Sequence, residues 1–357
     1  MLDYLIIGGG IAGLSTAARL SALGSVLVVE AEASAGFHAS GRSAALYEAD
    51  YGAPATIAMA RASGEELADM GVLSPRGFLL VAQRHESAAF ATDRDDLRMT
   101  AISPAEALAI VPVLNPDRVA LAAFTDAAQD IDTDLLMQLH TRKLRQNGGT
   151  LRTAAPVVAL ARQAGFWRAT LGTGEVIEAV RIVNAAGAWA DLVARMAGLP
   201  PVGIQPYRRS MAQLPAPGGL DIGNWPMIFG TGETWYAKPQ AGKLLVSPAE
   251  EDPAEPHDAW ADDMVLAEGL ARYEEMVTTP VTRVETSWAG LRSFAPDRTM
   301  VLGPDPLEPG FLWCAGQGGQ GFLASVGAAR VMEESAGGAP SGFAPDILAA
   351  LSPARFR

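Results

Sequence analysis

The chain has 357 residues, 49% hydrophobic and 19% charged, enough apolar material for a sizeable core; this excludes disorder as the main state and suits two domains or one large domain with a long insertion. Lys and Arg number 27 against 40 Asp and Glu, a net charge of −13, which excludes a nucleic-acid duplex as partner and disfavours docking on anionic lipid. The single cysteine, Cys314, excludes a disulfide framework and any multi-cysteine metal site, and the 4 histidines form no paired ligand spacing, so no metal is expected.

Met1-Leu2-Asp3 lacks the positive flank of a secretory signal, and the apolar stretch after it is broken by glycines and Arg19, so it cannot span a bilayer. A soluble, cytoplasmic protein is expected. Leu2–Ile7 is a run of strand length, Leu14–Leu23 has helical spacing, Gly24 reads as a left-handed stop, and Val26–Val29 is a second apolar strand closed by Glu30. Together they make a βαβ unit of a buried parallel sheet. A Gly/Ser/Ala-rich loop, Ala31–Ser43, leads to helical spacing over Pro54–Met70, a strand over Gly77–Gln83 and helices over Glu86–Arg98 and Pro104–Ala109. Asp132 or Thr133 caps a helix that runs to Gln146 and stops at Asn147-Gly148-Gly149. Strands follow over Pro156–Ala161, Phe166–Leu171 and Val180–Val183, and Asn184-Ala185-Ala186-Gly187 opens a helix.

From Val202 to about Val284 prolines and aromatics become frequent, and the alternation in Thr234–Lys238 and Lys243–Ser247 predicts an antiparallel sheet, with an amphipathic helix over Trp260–Met276. Met300–Gly303 and Phe311–Ala315 return to buried strands, then a glycine loop and a helix over Phe322–Glu334. The fold class expected is α/β: a discontinuous Rossmann-like domain (1–80, 131–200 and 285–340) with an α+β substrate domain on an antiparallel sheet (81–130 and 201–284).

Gly8, Gly10 and Gly13 form G-x-G-x-x-G between that first strand and helix. The first glycine permits the tight turn, the second lets backbone approach a pyrophosphate, the third lets helix and strand pack closely, and the helix N-terminus faces the anion. Glu30, at the end of the next strand, is placed to accept hydrogen bonds from a ribose. The triplet alone is compatible with FAD or NAD. Its position at the N-terminus, followed by a glycine- and serine-rich loop and an insertion of different character, favours FAD. The second glycine loop, Gly316-Gln317-Gly318-Gly319-Gln320-Gly321, offers amides that would stabilise charge on a reduced flavin.

The chain from Asp3 to about Glu334 resembles the FAD-dependent D-amino-acid oxidase-like flavoproteins, which include the glycine oxidases, and within them the bacterial D-arginine dehydrogenases. The resemblance rests on Gly41-Arg42-Ser43-Ala44-Ala45, Tyr51-Gly52, Asp130-Ile131-Asp132-Thr133-Asp134, Val183-Asn184-Ala185-Ala186-Gly187-Ala188-Trp189, Arg208-Arg209-Ser210, Trp288-Ala289-Gly290-Leu291-Arg292-Ser293-Phe294 and Gln317-Gly318-Gly319. It implies that Ala12, Glu30, Ala31 and the loop containing Ser40, Gly41, Arg42, Ser43, Ala44 and Ala45 touch a non-covalent FAD, with Val157 near the adenine. Gly318, Gly319, Gly321 and Phe322 would lie along the flavin. Arg209 and Arg292, with Tyr51 and Tyr236, would hold the substrate carboxylate; a guanidinium fork can grip it bidentately and turn Cα–H toward flavin N5.

The resemblance also implies the reaction: oxidative deamination of a D-amino acid by hydride transfer from Cα, the imine hydrolysing to a 2-oxo acid and ammonia. Where the D-arginine dehydrogenases carry His, Glu and Gln around the substrate this chain has Leu46, Phe78 and Leu323, and their loop tyrosine is Gln320. Without a carboxylate for a cationic head group, burying that head group costs several kcal/mol, whereas apolar side chains gain about 25 cal/mol per Å². Apolar or aromatic substrates are therefore expected. The alternatives are secondary or cyclic amines of the sarcosine, glycine or proline type, and a flavin-binding protein without turnover. The electron acceptor stays open among oxygen, a quinone and another carrier; a quinone would place the chain peripherally at the membrane. His38 is expected to be a hydrogen-bonding loop residue, Cys314 a buried strand thiol, and Glu250-Glu251-Asp252 with Glu255 a solvated acidic loop.

Overall fold

A computed structural model describes all 357 residues. The apolar N-terminal run forms the strand Leu2–Ile7, which lies parallel between Val26–Val29 and Val176–Asn184, with Ile7 opposite both Val29 and Asn184. Phe311–Ala315 continues the parallel set beyond Val176–Asn184, and Val157–Arg162, Trp167–Leu171, Thr150–Arg152 and Val301–Pro304 complete an eight-stranded sheet. Side chains alternate across it. Tyr4, Ile6, Val26 and Val28 face a core made with the helices Ile11–Leu20, Pro54–Asp69, Thr133–Gln146 and Ser325–Ser335. Leu5, Ile7, Leu27 and Val29 face a second core with Trp167, Phe311 and Trp313. Both faces being buried, the strands read as continuous apolar runs, as parallel strands do. Gly327 lets the last of these helices close on Pro54–Asp69, since a Cβ there would stand 2.6 Å from the Met59 carbonyl oxygen.

The second sheet has nine strands. Its order runs Asp252–Pro253, Gln205–Pro215, Lys243–Ser247, Tyr236–Gln240, Met227–Gly230, Phe78–Ala82, Leu121–Thr125, Thr100–Ile102, with Thr286–Phe294 added against Gln205–Pro215. It is mixed, because Met227–Gly230 and Phe78–Ala82 run parallel. Thr286–Phe294 pairs with Gln205–Pro215 along its whole length, from Gln205 opposite Phe294 to Gln213 opposite Thr286. Sheet pairing thus takes that strand, and Phe78–Ala82, away from the cofactor-binding segments with which the sequence grouped 78–80 and 285–294. A three-stranded sheet of Leu46–Tyr47, Gln129–Ile131 and Leu73–Pro75 lies apart from both.

Helix ends follow their caps. Asp132 accepts the Leu135 N–H at 2.8 Å and starts Thr133–Gln146. The first helix runs Ile11–Leu20 rather than 14–23. Gly24 is not a left-handed stop: it gives room to Asp3, whose carboxylate accepts the Ser25 N–H and hydroxyl and to which a Cβ on Gly24 would come within 2.6 Å. No helix is long and apolar enough to cross a membrane.

Candidate active site

A cavity of about 460 Å³ runs between the two large sheets, over the carboxyl ends of the parallel strands, where open α/β sheets bind ligands. Its wall starts at Glu30, Ala31 and Val157, passes Gly8, Gly10, Ala12, Ser40, Arg42, Ser43 and Ala44, and ends at Gly318, Gly319, Gly321, Phe322, Arg209, Tyr236 and Arg292. Three of the residues expected at the cofactor stand behind this wall. Gly13 packs its Cα against the Gly8 carbonyl, Gly41 donates its N–H to the Gly36 carbonyl at 2.6 Å, and Ala45 presents its carbonyl to Lys238. Trp189 of the quoted Val183–Trp189 motif and His38 line the cavity too, as do Phe37, Leu192 and His257, to which the sequence gave no role.

The donors along the wall suit a dinucleotide. Ser40 Oγ accepts the Ile11 N–H at 3.0 Å, whereas the amides of Gly10 and Ala12 make no hydrogen bond within the chain and open onto the cavity at a helix N-terminus. Gly8, at φ +113°, lies so close to Ala185 that any Cβ would collide with its carbonyl. Glu30 is fixed by the N–H groups of Gly9 at 2.7 Å and Glu32 at 2.9 Å, leaving lone pairs on both oxygens for ribose hydroxyls. At the other end the amides of Gly319, Gly321 and Phe322 are unpartnered. Arg42 serves as a cross-tie, donating to the Ala259 and Ala289 carbonyls at 2.8 Å each and to Asp258.

The two arginines reach one place because their strands pair. Arg209 stands opposite Gly290 and Arg292 opposite Tyr207, so both are diagonal neighbours on one face. Between them lies Glu233, which the sequence did not mark. Its Oε1 accepts Arg209 Nη1 at 3.0 Å and Arg292 Nη1 at 3.4 Å, and Tyr51 Oη donates to it at 3.2 Å. Burial pushes the Glu233 carboxyl up, but the two guanidiniums pull it below its ordinary range. Burial, reinforced by Glu233, raises the Tyr51 phenol to about 12, making it a donor and not a base. For Arg292 burial opposes the charge, and the surrounding Tyr236, Tyr51 and Glu233 more than offset it. Glu233 and Tyr51 are not part of the cavity wall; Glu233 bonds both guanidiniums and Tyr51 bonds Glu233. The Nε and Nη2 of Arg292 and the hydroxyl of Tyr236 have no partner in the chain, and both residues line the cavity.

The acidic stretch is not a solvated loop. Glu250 accepts the Ser210 N–H at 2.6 Å, Glu251 pairs with Arg298 at 2.8 Å and with Arg209 at 3.4 Å, and Asp252 pairs with Arg208 at 2.7 Å. Only Glu255 is left free among the four, because the other three answer the arginines of the neighbouring strand. None of Leu46, Phe78, Gln320 and Leu323 forms part of the cavity wall. Phe78 packs edge-on against Phe229 with ring centres 5.4 Å apart, Leu323 is in the helix-side core, Gln320 donates to the Tyr51 carbonyl at 3.4 Å, and Leu46 lies opposite Asp130. His38 bonds Glu32 at 3.0 Å, and Cys314 is fully buried, its thiol raised by burial to about 11.

Residues 3–335 match the family profile described as DAO, FAD dependent oxidoreductase. The chain belongs to this family. A bovine relative, FAD-dependent oxidoreductase domain-containing protein 1, is 23% identical over 93% of this chain and 80% of its own length. Among solved structures, glycine oxidase from Geobacillus kaustophilus superposes with a TM-score of 0.83 at 21% identity, covering 98% of each chain. L-proline dehydrogenase from P. horikoshii gives 0.82 at 20% identity, over 99% of this chain and 97% of that one. FAD is therefore the cofactor. The residues present fit that cofactor: helix-start amides beside Gly10 would face its pyrophosphate, and loop amides at Gly319–Phe322 would face its ring.

Proposed function

We propose that the chain oxidises an α-amino carboxylate, in the first place a D-amino acid with an apolar or aromatic side chain. The observation that carries this reading is the pair Arg292 and Tyr236, which face the cavity with donor groups that nothing in the chain uses. A carboxylate there meets a guanidinium edge and a phenol, a charge-assisted arrangement that fixes orientation as well as affinity. Glu233 keeps Arg209 and Arg292 in register so that the grip costs no rearrangement on binding. FAD, when bound, supplies the acceptor for the hydride leaving Cα. No side chain at the clamp is free to act as a base: Tyr51 is held protonated and Glu233 is held as an ion pair. The amine therefore binds neutral after losing its proton to solvent, and the imine is released and hydrolysed in water.

A second reading takes compact secondary or cyclic amines. It is favoured by the placement of Leu46, Phe78 and Leu323 off the cavity wall, which leaves less apolar lining for a large side chain, and by similar folds whose names specify glycine and L-proline. Anaerobic mixing of the yellow enzyme with D- and L-amino acids, glycine, sarcosine and D-proline separates the two. Fastest bleaching by D-leucine or D-phenylalanine supports the first reading, and fastest bleaching by sarcosine or proline the second. Highest efficiency on D-arginine overturns the apolar assignment, and a flavin that no amine reduces overturns both. Admitting air afterwards tells whether oxygen takes the electrons.

A further inference from the structure

Lys238 is 4% exposed and lies on the strand Tyr236–Gln240, two residues from Tyr236 and on the same face. Its ammonium donates to the carbonyl oxygens of Ala44 at 3.2 Å and Ala45 at 2.9 Å, and it forms an ion pair with Asp130 Oδ1 at 2.9 Å. Ala44 is part of the cavity wall, and Lys238 is not, so the cation stands directly behind the loop that the cofactor touches. Asp130 is in turn gripped by Arg76, which also donates to the carbonyls of Gly223 at 2.8 Å and Trp225 at 2.9 Å. Two cations and one carboxylate leave a surplus positive charge in a poorly solvated place. Burial lowers the lysine's affinity for its proton and Asp130 restores part of it.

A buried lysine is expensive unless its environment repays it. A merely structural role would be filled at lower cost by an apolar side chain, because Leu46 and Phe78 already pack in this region. What only a cation does here is draw two consecutive carbonyls, Ala44 and Ala45, toward one point, fixing the loop Ser43–Ala45 in a single shape. It also places positive charge two residues along the strand from Tyr236, which lines the cavity with Arg292 at the end where reduction would build negative charge on a bound flavin. We propose that Lys238 is a positioning residue for the FAD: it shapes the cavity edge at Ala44–Ala45 and supplies the field that makes the bound flavin easier to reduce. This goes beyond the choice of substrate and does not depend on it.

The test compares Lys238→Met and Lys238→Arg with the wild-type chain. FAD affinity is read by titrating apoprotein, the flavin midpoint potential by dye equilibration, and the loop by the rate of tryptic cleavage after Arg42 in apoprotein. Lys238→Met should weaken FAD binding by tenfold or more, shift the potential to more negative values and speed cleavage at Arg42. Lys238→Arg keeps the charge and alters the reach, so it should return the potential toward wild type while leaving FAD affinity reduced. Unchanged affinity and potential in Lys238→Met overturn the proposal, and so does a potential that shifts equally in both variants. Should Lys238→Met fail to fold, Asp130→Asn serves instead. It leaves the lysine on its two carbonyls, and the potential should stay at or above the wild-type value; a fall would count against the assignment.

Discussion

Gly319 shows how much of this site depends on the absence of an atom. A Cβ at that position would lie 2.9 Å from Arg292 Cζ and 3.0 Å from its Nε, closer than carbon contacts allow. The obstacle is the far end of a side chain and not backbone, so Gly319→Ala should displace the guanidinium and leave the loop in place. Its edge would then no longer match a carboxylate, and bidentate geometry is what the arginine contributes. The expected outcome is a rise in KM for carboxylate substrates of roughly 10-fold to 100-fold, about 1.4 to 2.7 kcal/mol of binding, with FAD absorbance and midpoint of thermal unfolding close to wild type. Steady-state kinetics on whichever amino acid reduces the flavin, beside FAD titration, reads both; an unchanged KM would mean that Arg292 does not hold the substrate. At this scale the sequence was legible where one residue type has one use. Gly8 and Gly10 of the first turn, and Arg209 and Arg292, were singled out from the sequence, and all four line the cavity. Glu233 was not singled out, because a glutamate in a Thr-Gly-Glu turn is ordinary on any surface; its role comes from a positive φ of 53° that turns it inward, and from arginines 24 and 59 positions away. Lys238 left a fainter mark that could have been used, an inward-facing charge in a strand of otherwise regular alternation.

Among the helices, Thr133–Gln146 has a weakness that pH should expose. His140 is 5% exposed, its Nε2 has no hydrogen-bond partner, and burial is the main cause that pushes its imidazole down to about 4, with Arg19 helping and Glu66 opposing. In the unfolded chain the same group protonates near its usual 6.5, so between those values the unfolded state holds the extra proton and folding weakens as pH falls. The contribution is fully present above about pH 6.5 and is lost toward pH 4; at pH 4.5 the difference amounts to about 2 to 3 kcal/mol. Replacing the imidazole by a leucine side chain (His140→Leu) removes that dependence. Urea unfolding at pH 7 and pH 4.5 should give the variant a smaller loss of stability between the two pH values by about that amount, and parallel losses in both proteins would show that His140 protonates freely when folded. The elements that were legible share a feature with this helix: each is carried by an apolar stripe or run that packing alone explains. Leu2–Ile7, Val26–Val29 and Phe311–Ala315 have no competing task. Gln205–Pro215 and Thr286–Phe294 were not read as paired strands because Arg209, Arg292 and Ser293 interrupt their patterns. They interrupt it because these strands carry the side chains of the proposed clamp, and local rules fail first where residues serve a site.

Across the whole molecule the cavity lies between sheets whose buried residues form separate cores, Leu5, Ile7 and Trp313 on one side and Leu79, Ala237 and Val246 on another. Few ties cross from one to the other near the site. Arg42 reaches from the cofactor loop to Ala259 and Ala289, Trp288 Nε1 returns a bond to the Arg42 carbonyl at 3.1 Å, and Lys238 holds Ala44 and Ala45. FAD bound in such a cavity would act as a further tie, and as a ligand of the folded state alone it would shift unfolding by mass action. At 100 times its Kd the gain is about 2.7 kcal/mol, with about 1.4 kcal/mol more for each further tenfold excess. Unfolding entropy is about 2.1 cal/mol/K per residue, or roughly 0.75 kcal/mol/K for a chain of 357 residues. The thermal midpoint should therefore rise by about 3 to 4 °C at the first concentration and by about 2 °C per decade above it. NAD carries the smaller nicotinamide in place of an isoalloxazine, so it engages the amides of Gly319–Phe322 less and should give a smaller shift at equal concentration. Calorimetry of apoprotein over a range of FAD concentrations measures the slope, and a midpoint that ignores FAD, or follows NAD as steeply, would contradict a cavity wall built to close on the flavin.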